Sequence, residues 1–204
     1  VGATHALPHL PHAAGTYLAL TGDRVGAADA LALGLATHAV PSSRMAELAD
    51  ALTARGALDD ILGDFGHDPG LRKLAPERAV IARCFGQPTL DAVLASLAHE
   101  AKAGSAFAAK ALQTIRSKSP TSVAIAFEQM RLGGAMSFSE AMATEFRIVS
   151  RIVAGQEFYE GVRAVVIDKE NAPRWRPDTI EQLDASAIAA YFAPLGADDL
   201  VLEG

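Results

Sequence analysis

Leu35-Ala36-Thr37-His38-Ala39-Val40, stopped by Pro41, is the best strand pattern in a chain otherwise written for helices. A strand needs partners for its backbone N–H and C=O groups. Either these six residues are an isolated extended piece, or the sheet they belong to lies outside this sequence. The opening of the chain favours the second. It runs Val1-Gly2-Ala3-Thr4-His5, with no charged or flexible leader. That looks like the middle of a domain rather than a trimmed native start, so the expectation is a fragment.

Outward from that stretch the pattern is helical with clear stops. Residues 13–21 are aliphatic and close at Thr21-Gly22. Residues 26–33 end at Gly34, placed as a left-handed cap. Ser43 to about Ala54 reads as a helix with Ser43 as N-cap. From Gly56 to Pro88 glycine and proline punctuate the sequence and apolar spacing is poor, except near Glu77–Phe85. A mobile segment or insertion is expected there.

The second half is more regular. Thr89 caps a helix with the stripe Leu90, Val93, Leu94, Leu97 and Ala101, stopped by Gly104. Ser105 opens another, with Ala108, Ala111, Leu112 and Ile115 inward, and Arg116 and Lys118 at its cation-favouring end. Ser119-Pro120 starts a third, ended by Gly133-Gly134. Ser137-Phe138-Ser139-Glu140 is a capping box for the longest helix, whose Phe138, Met142, Phe146, Val149 and Val153 share a face up to Gly155. A shorter helix covers about Glu157–Ile167. Asp178-Thr179-Ile180-Glu181 is a further N-terminal box, leading a helix toward Pro194.

The composition narrows the functional classes. The 204 residues are 50% hydrophobic and 21% charged, close to an ordinary globular protein. A net charge of −6 argues against nucleic acid as a partner. One cysteine, Cys84, leaves no disulfide framework and fits a reducing cytoplasmic setting. No apolar run reaches the roughly 18–20 residues of a membrane span, so no membrane partner is expected.

No catalytic constellation stands out from the residues. His5, His9 and His12 have metal-like spacing, but Pro8 and Pro11 keep a helix from presenting them together, so they are taken as turn residues. No metal site is expected. His38 reads as hydrogen-bonded structure. Cys84 has no patterned partner for nucleophilic work. No G-x-S-x-G, Walker loop or strand-linked G-x-G-x-x-G is present. Asp59, Asp60, Asp64 and Asp68 lack EF-hand spacing and read as a solvated loop. Glu128, Glu140, Glu145 and Glu160 all fall in helices, where capping and pairing with a nearby Arg account for them.

Three stretches resemble a known family. They are Thr16-Tyr-Leu-Ala-Leu-Thr-Gly-Asp-Arg24 through Gly34-Leu-Ala-Thr-His-Ala-Val40; then Lys118-Ser-Pro-Thr-Ser122; and Glu145-Phe-Arg147 with Glu157-Phe-Tyr-Glu-Gly-Val-Arg-Ala-Val-Val-Ile-Asp-Lys169 and Pro173-Arg-Trp-Arg-Pro177. In order and spacing they are similar to the 3-hydroxyisobutyryl-CoA hydrolases of the enoyl-CoA hydratase/isomerase (crotonase) superfamily. The last string is the most specific. Gly2 is followed by Ala3 where that family usually has glycine.

The resemblance implies an α/β crotonase-like (ββα spiral) fold, with this chain its mainly α-helical C-terminal half carrying few strands. It implies residues 1–55 as the end of the spiral core, 56–118 as a variable segment with connecting helices, and 119–204 as a C-terminal helical region. It implies hydrolysis of 3-hydroxyisobutyryl-CoA to 3-hydroxyisobutyrate and CoA, a step of valine catabolism. The expected catalytic Glu and Asp would lie upstream of Val1, so this chain would be inactive alone. No cofactor is implied beyond the coenzyme A of the substrate, whose phosphates have Lys169 and Arg176 as candidate contacts. The implied partners are acyl-CoA and the missing N-terminal half, and a homo-oligomer is allowed. Two rivals remain at this point: an enoyl-CoA hydratase/isomerase of the same superfamily, and a non-catalytic helical interaction module.

Overall fold

The computed structural model describes residues 1–54 and 56–202 and falls into two units. One comprises Val1–Asp23 with Val80–Gly204; the other is Arg24–Ala79. Among the described residues there is no β-strand.

The first unit begins with α1 (Ala3–Ala6) and two single 3-10 turns, Leu7–His9 and Pro11–Ala13, each with proline where a missing N–H costs nothing. Helix α2 (Ala14–Thr21) follows and buries Tyr17, Leu18 and Leu20. Gly15 lets α2 meet the preceding turn, since a Cβ there would lie 1.8 Å from the Leu7 carbonyl oxygen.

In the second unit, α3 (Ala27–Ala32) is closed by Gly34 at φ 75°, where a side chain would be strained. Leu35 N–H donates to the Ala30 carbonyl and Gly34 N–H to that of Leu31, the paired bonds of a Schellman cap. The turn absorbs the start of Leu35–Val40, and that segment forms no ladder. Its Ala39 carbonyl instead accepts both the backbone N–H and the ring Nδ1 of His67, at 3.0 and 3.1 Å. The expected strand is therefore corrected to irregular backbone.

Helices α4 (Met45–Thr53) and α5 (Leu58–Phe65) pack on each other. Ser43 does not cap α4, because a 3-10 turn over Ser42–Arg44 precedes it and the side chain makes no capping bond. Arg44 lies over the Phe65 ring, 4.1 Å from its centroid, and also reaches Glu47 and the Asp64 carbonyl. Buried Asp29 accepts the backbone N–H groups of Lys73 and Leu74, at 2.9 and 3.0 Å. The stretch read as loose thus holds α5, while α6 (Arg78–Phe85) falls on the patterned piece near Glu77–Phe85.

Back in the first unit, the side chains of Thr89, Ser105 and Ser119 each accept the backbone N–H three residues on, at 3.0–3.2 Å. They open α7 (Leu90–Lys102), α8 (Ala106–Arg116) and α9 (Pro120–Gly133). Val93, Leu97, Ala108 and Ile115 are fully buried where α7 and α8 pack together. Each such large aliphatic side chain contributes about 1.5–3 kcal/mol over an exposed one. Helix α9 is the central element, in contact with α1, α2 and α12 (Ala185–Ala190). Ala124, Ile125, Ile148 and Ile188 form its outer cluster.

The Ser137–Glu140 capping box forms, and α10 (Phe138–Ile152) follows. Its packing face differs from the one the pattern suggests. Ala141, Thr144 and Ile148 are buried with Met142 beside them, while Phe138 (57%), Phe146 (38%), Val149 (49%) and Val153 (43%) are exposed. Small residues on the inner side let α1 approach closely. The large apolar ones line the outside. Helix α11 (Glu157–Val162) continues into a π-helical turn, Arg163–Ile167. The box expected at Asp178 opens only a 3-10 turn, Ile180–Gln182; Asp184 caps α12, accepting from Ser186 N–H at 2.9 Å.

Candidate functional site

The string from Glu157 to Pro177 folds into one ionic knot. Gln156 precedes α11 without a side-chain cap, and the helix then widens into the π turn. Arg163, where the π turn begins, meets three carboxylates. Its guanidinium reaches Glu160 at 2.6 Å, Asp168 at 2.5 Å and Glu170 at 2.7 Å. Glu160 also accepts the backbone N–H of Arg174 at 2.6 Å. The Arg163 guanidinium and that N–H together pull Glu160 down to about 2. Arg163 is raised by Glu160 first and the other two carboxylates after it. Gly161 passes under Trp175, whose indole N–H points to the Ser117 carbonyl at 3.4 Å. The bland reading of Glu160 as a partner for a nearby arginine is what the structure shows.

Beside the knot lies an open cleft of about 790 Å³, lined among others by Glu157, Tyr159, Arg163, Arg174 and Arg176. Glu157 accepts the hydroxyl of Ser119 on one oxygen, while its other oxygen is buried with no hydrogen-bond partner among the described residues. Arg176 sits on the cleft wall with Arg174. Lys169, at φ 55° past the π turn, is exposed and outside the cleft lining. The structure therefore does not bring Lys169 and Arg176 to the same wall.

A second cluster surrounds the first turn of the chain. Gly2 takes φ 87°, and the Glu145 carboxylate on α10 accepts Gly2 N–H at 2.8 Å and Thr4 N–H at 2.9 Å. Burial alone would push Glu145 up. The two backbone donors, the Thr4 hydroxyl and the nearby amino-terminal charge together outweigh it and hold the carboxyl below its ordinary value. Gln129 on α9 donates to the hydroxyl of fully buried Thr4 at 2.6 Å. The sequence places Glu145 in a helix and in the family-like stretch Glu145-Phe-Arg147 but gives it no partner; a contact made 141 residues away leaves no local signal.

The same helix holds the far end. Arg147 binds Asp199 with two nitrogens at 2.6–2.9 Å, and Arg151 donates to the Tyr191 carbonyl at 3.1 Å. Both arginines went unremarked in the sequence as partners of this tail.

The remaining candidates are structural. His9 Nδ1 donates to the His5 carbonyl at 2.7 Å, and the His5 ring stands edge-on to Phe138. His38 pairs with the neighbouring Thr37 hydroxyl at 3.0 Å. Cys84 is buried, which pushes its thiol up, and Ser96 donates to its sulfur. Such a thiol is a poor nucleophile. Asp59 and Asp60 occupy the first turn of α5, where negative charge is favoured, rather than a loop. Among the described residues no group of three or more His, Cys, Asp or Glu is arranged to hold a metal ion, and no helix is long and apolar enough to cross a membrane.

These arrangements fix backbone and present guanidinium groups. Residues 1–192 match the family described as enoyl-CoA hydratase/isomerase. The chain belongs to that family. Within the enoyl-CoA hydratase/isomerase family it is 36% identical to the mitochondrial 3-hydroxyisobutyryl-CoA hydrolase of Xenopus tropicalis, over 99% of this chain and 54% of that protein. Two solved structures superpose on it. A carnitinyl-CoA dehydratase from Mycobacterium thermoresistibile gives a TM-score of 0.89 at 29% identity, covering all of this chain and 57% of that one. An enoyl-CoA hydratase from Rhodobacter sphaeroides 2.4.1 gives 0.82 at 35%, covering 98% and 57%. The fold is thus the crotonase-like one, represented by its mainly helical part. The chain spans about half the length of the curated relatives it matches.

Proposed function

We propose that this chain is the C-terminal part of a CoA-thioester hydrolase that converts 3-hydroxyisobutyryl-CoA and water to 3-hydroxyisobutyrate and free CoA, a step of valine breakdown. The observation that carries the proposal is the hydrolase-like string itself, closed into the Glu160–Arg163–Asp168–Glu170 knot with Trp175 stacked over Gly161. Identity of 36% to a named hydrolase over almost the whole chain supports it.

In this reading the catalytic Glu and Asp stand upstream of Val1. Water attacks the thioester carbonyl with a carboxylate as base, and the carbonyl oxygen becomes an oxyanion held by backbone N–H donors. Such a donor is worth about 3–4 kcal/mol. The C–S bond then breaks, and the CoA thiolate leaves and takes a proton. The helices here pack behind that site and wall the acyl pocket. Arg176, on the cleft wall, and Lys169, exposed just past the π turn, are the candidates for CoA's phosphates, where an arginine fork pairs well with phosphate oxygens.

The test is an assay of the protein expressed with its upstream sequence, following thiol release from 3-hydroxyisobutyryl-CoA beside hydration of crotonyl-CoA. Thiol release by the longer protein and none by the 204 residues is expected. Cleavage by the 204 residues alone would refute the placement of the chemistry upstream. The 35% identity to an enoyl-CoA hydratase structure favours a second reading, hydration, and the crotonyl-CoA assay reads it directly.

A further inference from the structure

The turn at Gly2–Thr4 is fixed from more directions than a surface turn needs. Its two N–H groups are taken by the two oxygens of one carboxylate, Glu145, at 2.8 and 2.9 Å. Its Thr4 hydroxyl is taken by Gln129 at 2.6 Å. Its Thr4 carbonyl lies against Gly133 so closely that no side chain fits between. Within the turn, Ala6 N–H closes on the Gly2 carbonyl at 2.9 Å.

Ordinary capping does not account for this. A helix start is satisfied by a local Ser, Thr, Asp or Asn, as at Thr89, Ser105, Ser119 and Ser137 in this chain. At α1 no local side chain makes a cap bond. The job is done by a carboxylate more than 140 residues away, part-buried on the longest helix. A glutamate held by two converging N–H groups sets both position and direction of the backbone that donates them.

We infer that Glu145 is a positioning residue, holding Gly2 and Thr4 so that the backbone entering Val1 is aimed at a fixed point of the reaction site. This rests on the proposed function, which puts the reacting carboxylates in the segment before Val1. In this role Glu145 acts through the turn it holds. Misplacing a reacting group by about 1 Å costs on the order of 10²-fold in rate. A rigid turn next to it is therefore felt in kcat.

The experiment uses the protein expressed with its upstream sequence, as wild type, Glu145→Gln and Glu128→Gln. Glutamine keeps one acceptor oxygen but sets an NH2 against the other N–H. Glu128 pairs with Arg131 on the α9 surface and serves as the control. The expected result for Glu145→Gln is a kcat lower by about 10- to 100-fold with KM within about twofold, and faster hydrogen exchange at Gly2 and Thr4. Glu128→Gln should match wild type. The inference is overturned if exchange at the turn quickens while kcat stays within about threefold, if KM alone changes, or if exchange is unaltered. Should wild type hydrate crotonyl-CoA without releasing thiol, the hydrolase reading fails and the hydration kcat decides the Glu145 question. Should it do neither, both fall.

Discussion

A Cβ placed on Gly133 would lie 1.9 Å from the carbonyl oxygen of Thr4. Helix α9 and the first turn of the chain touch backbone to backbone there, and no rotamer change relieves the clash. Gly133→Ala should lower stability by about 3 kcal/mol, roughly a 6–12 °C drop in melting midpoint for a chain of this size. Gly134→Ala, whose nearest new neighbour is 3.6 Å away, should stay within about 0.5 kcal/mol. Thermal melts of both variants check the contrast. Equal losses would mean the approach is not as close as described.

The Glu160 knot carries a pH signature. Folding depresses this carboxyl from its ordinary 4.5 to about 2, so the folded state favours the ionised form. Its stabilisation is complete above about pH 5 and is lost as pH falls from 4.5 toward 2. Melting midpoints of wild type and Glu160→Gln should therefore differ most at neutral pH and converge near pH 2. A constant gap across that range contradicts the assignment.

The outer face of α10 bears on behaviour in solution. Phe146 and Val149 are exposed beside Phe138 and Val153. Contiguous exposed apolar surface drives association. The 204 residues by themselves should self-associate in sedimentation runs, and the pair Phe146→Ser with Val149→Ser should reduce that while moving stability by no more than about 1 kcal/mol. A monodisperse wild-type chain would contradict this.

Arg147 grips the tail through Asp199. Arg147→Ala should leave the helices folded but expose residues 191–202 to limited proteolysis, with cleavage there well before cleavage elsewhere. Unchanged cleavage would show the pair to be incidental.

The local parts of this fold were legible in the sequence. Thr89, Ser105, Ser119 and the Ser137–Glu140 box announce helix starts because a cap needs only the next three residues. Gly34 announces an end for the same reason. What failed was whatever depended on distant partners. Leu35–Val40 has a strand's composition, but its Ala39 carbonyl is claimed by His67. The apolar row on α10 was visible as a face; its exposure was not, since periodicity does not say what lies opposite. At Asp178 a good box pattern lost to Asp184 six residues on, which captures the N–H of Ser186 instead. Glu145 looked like any other helical carboxylate because its two donors come from the opposite end of the sequence. The string around Arg163 pointed to its family correctly, although Arg163 spends its charge on three carboxylates while lining the cleft beside Arg174 and Arg176.

Within two turns helix α10 clasps two segments far apart in sequence: Glu145 takes the Gly2–Thr4 turn, while Arg147 and Arg151 take Asp199 and Tyr191. Melting that short span would set both segments loose in a single event, so loosening either one should be felt at the other.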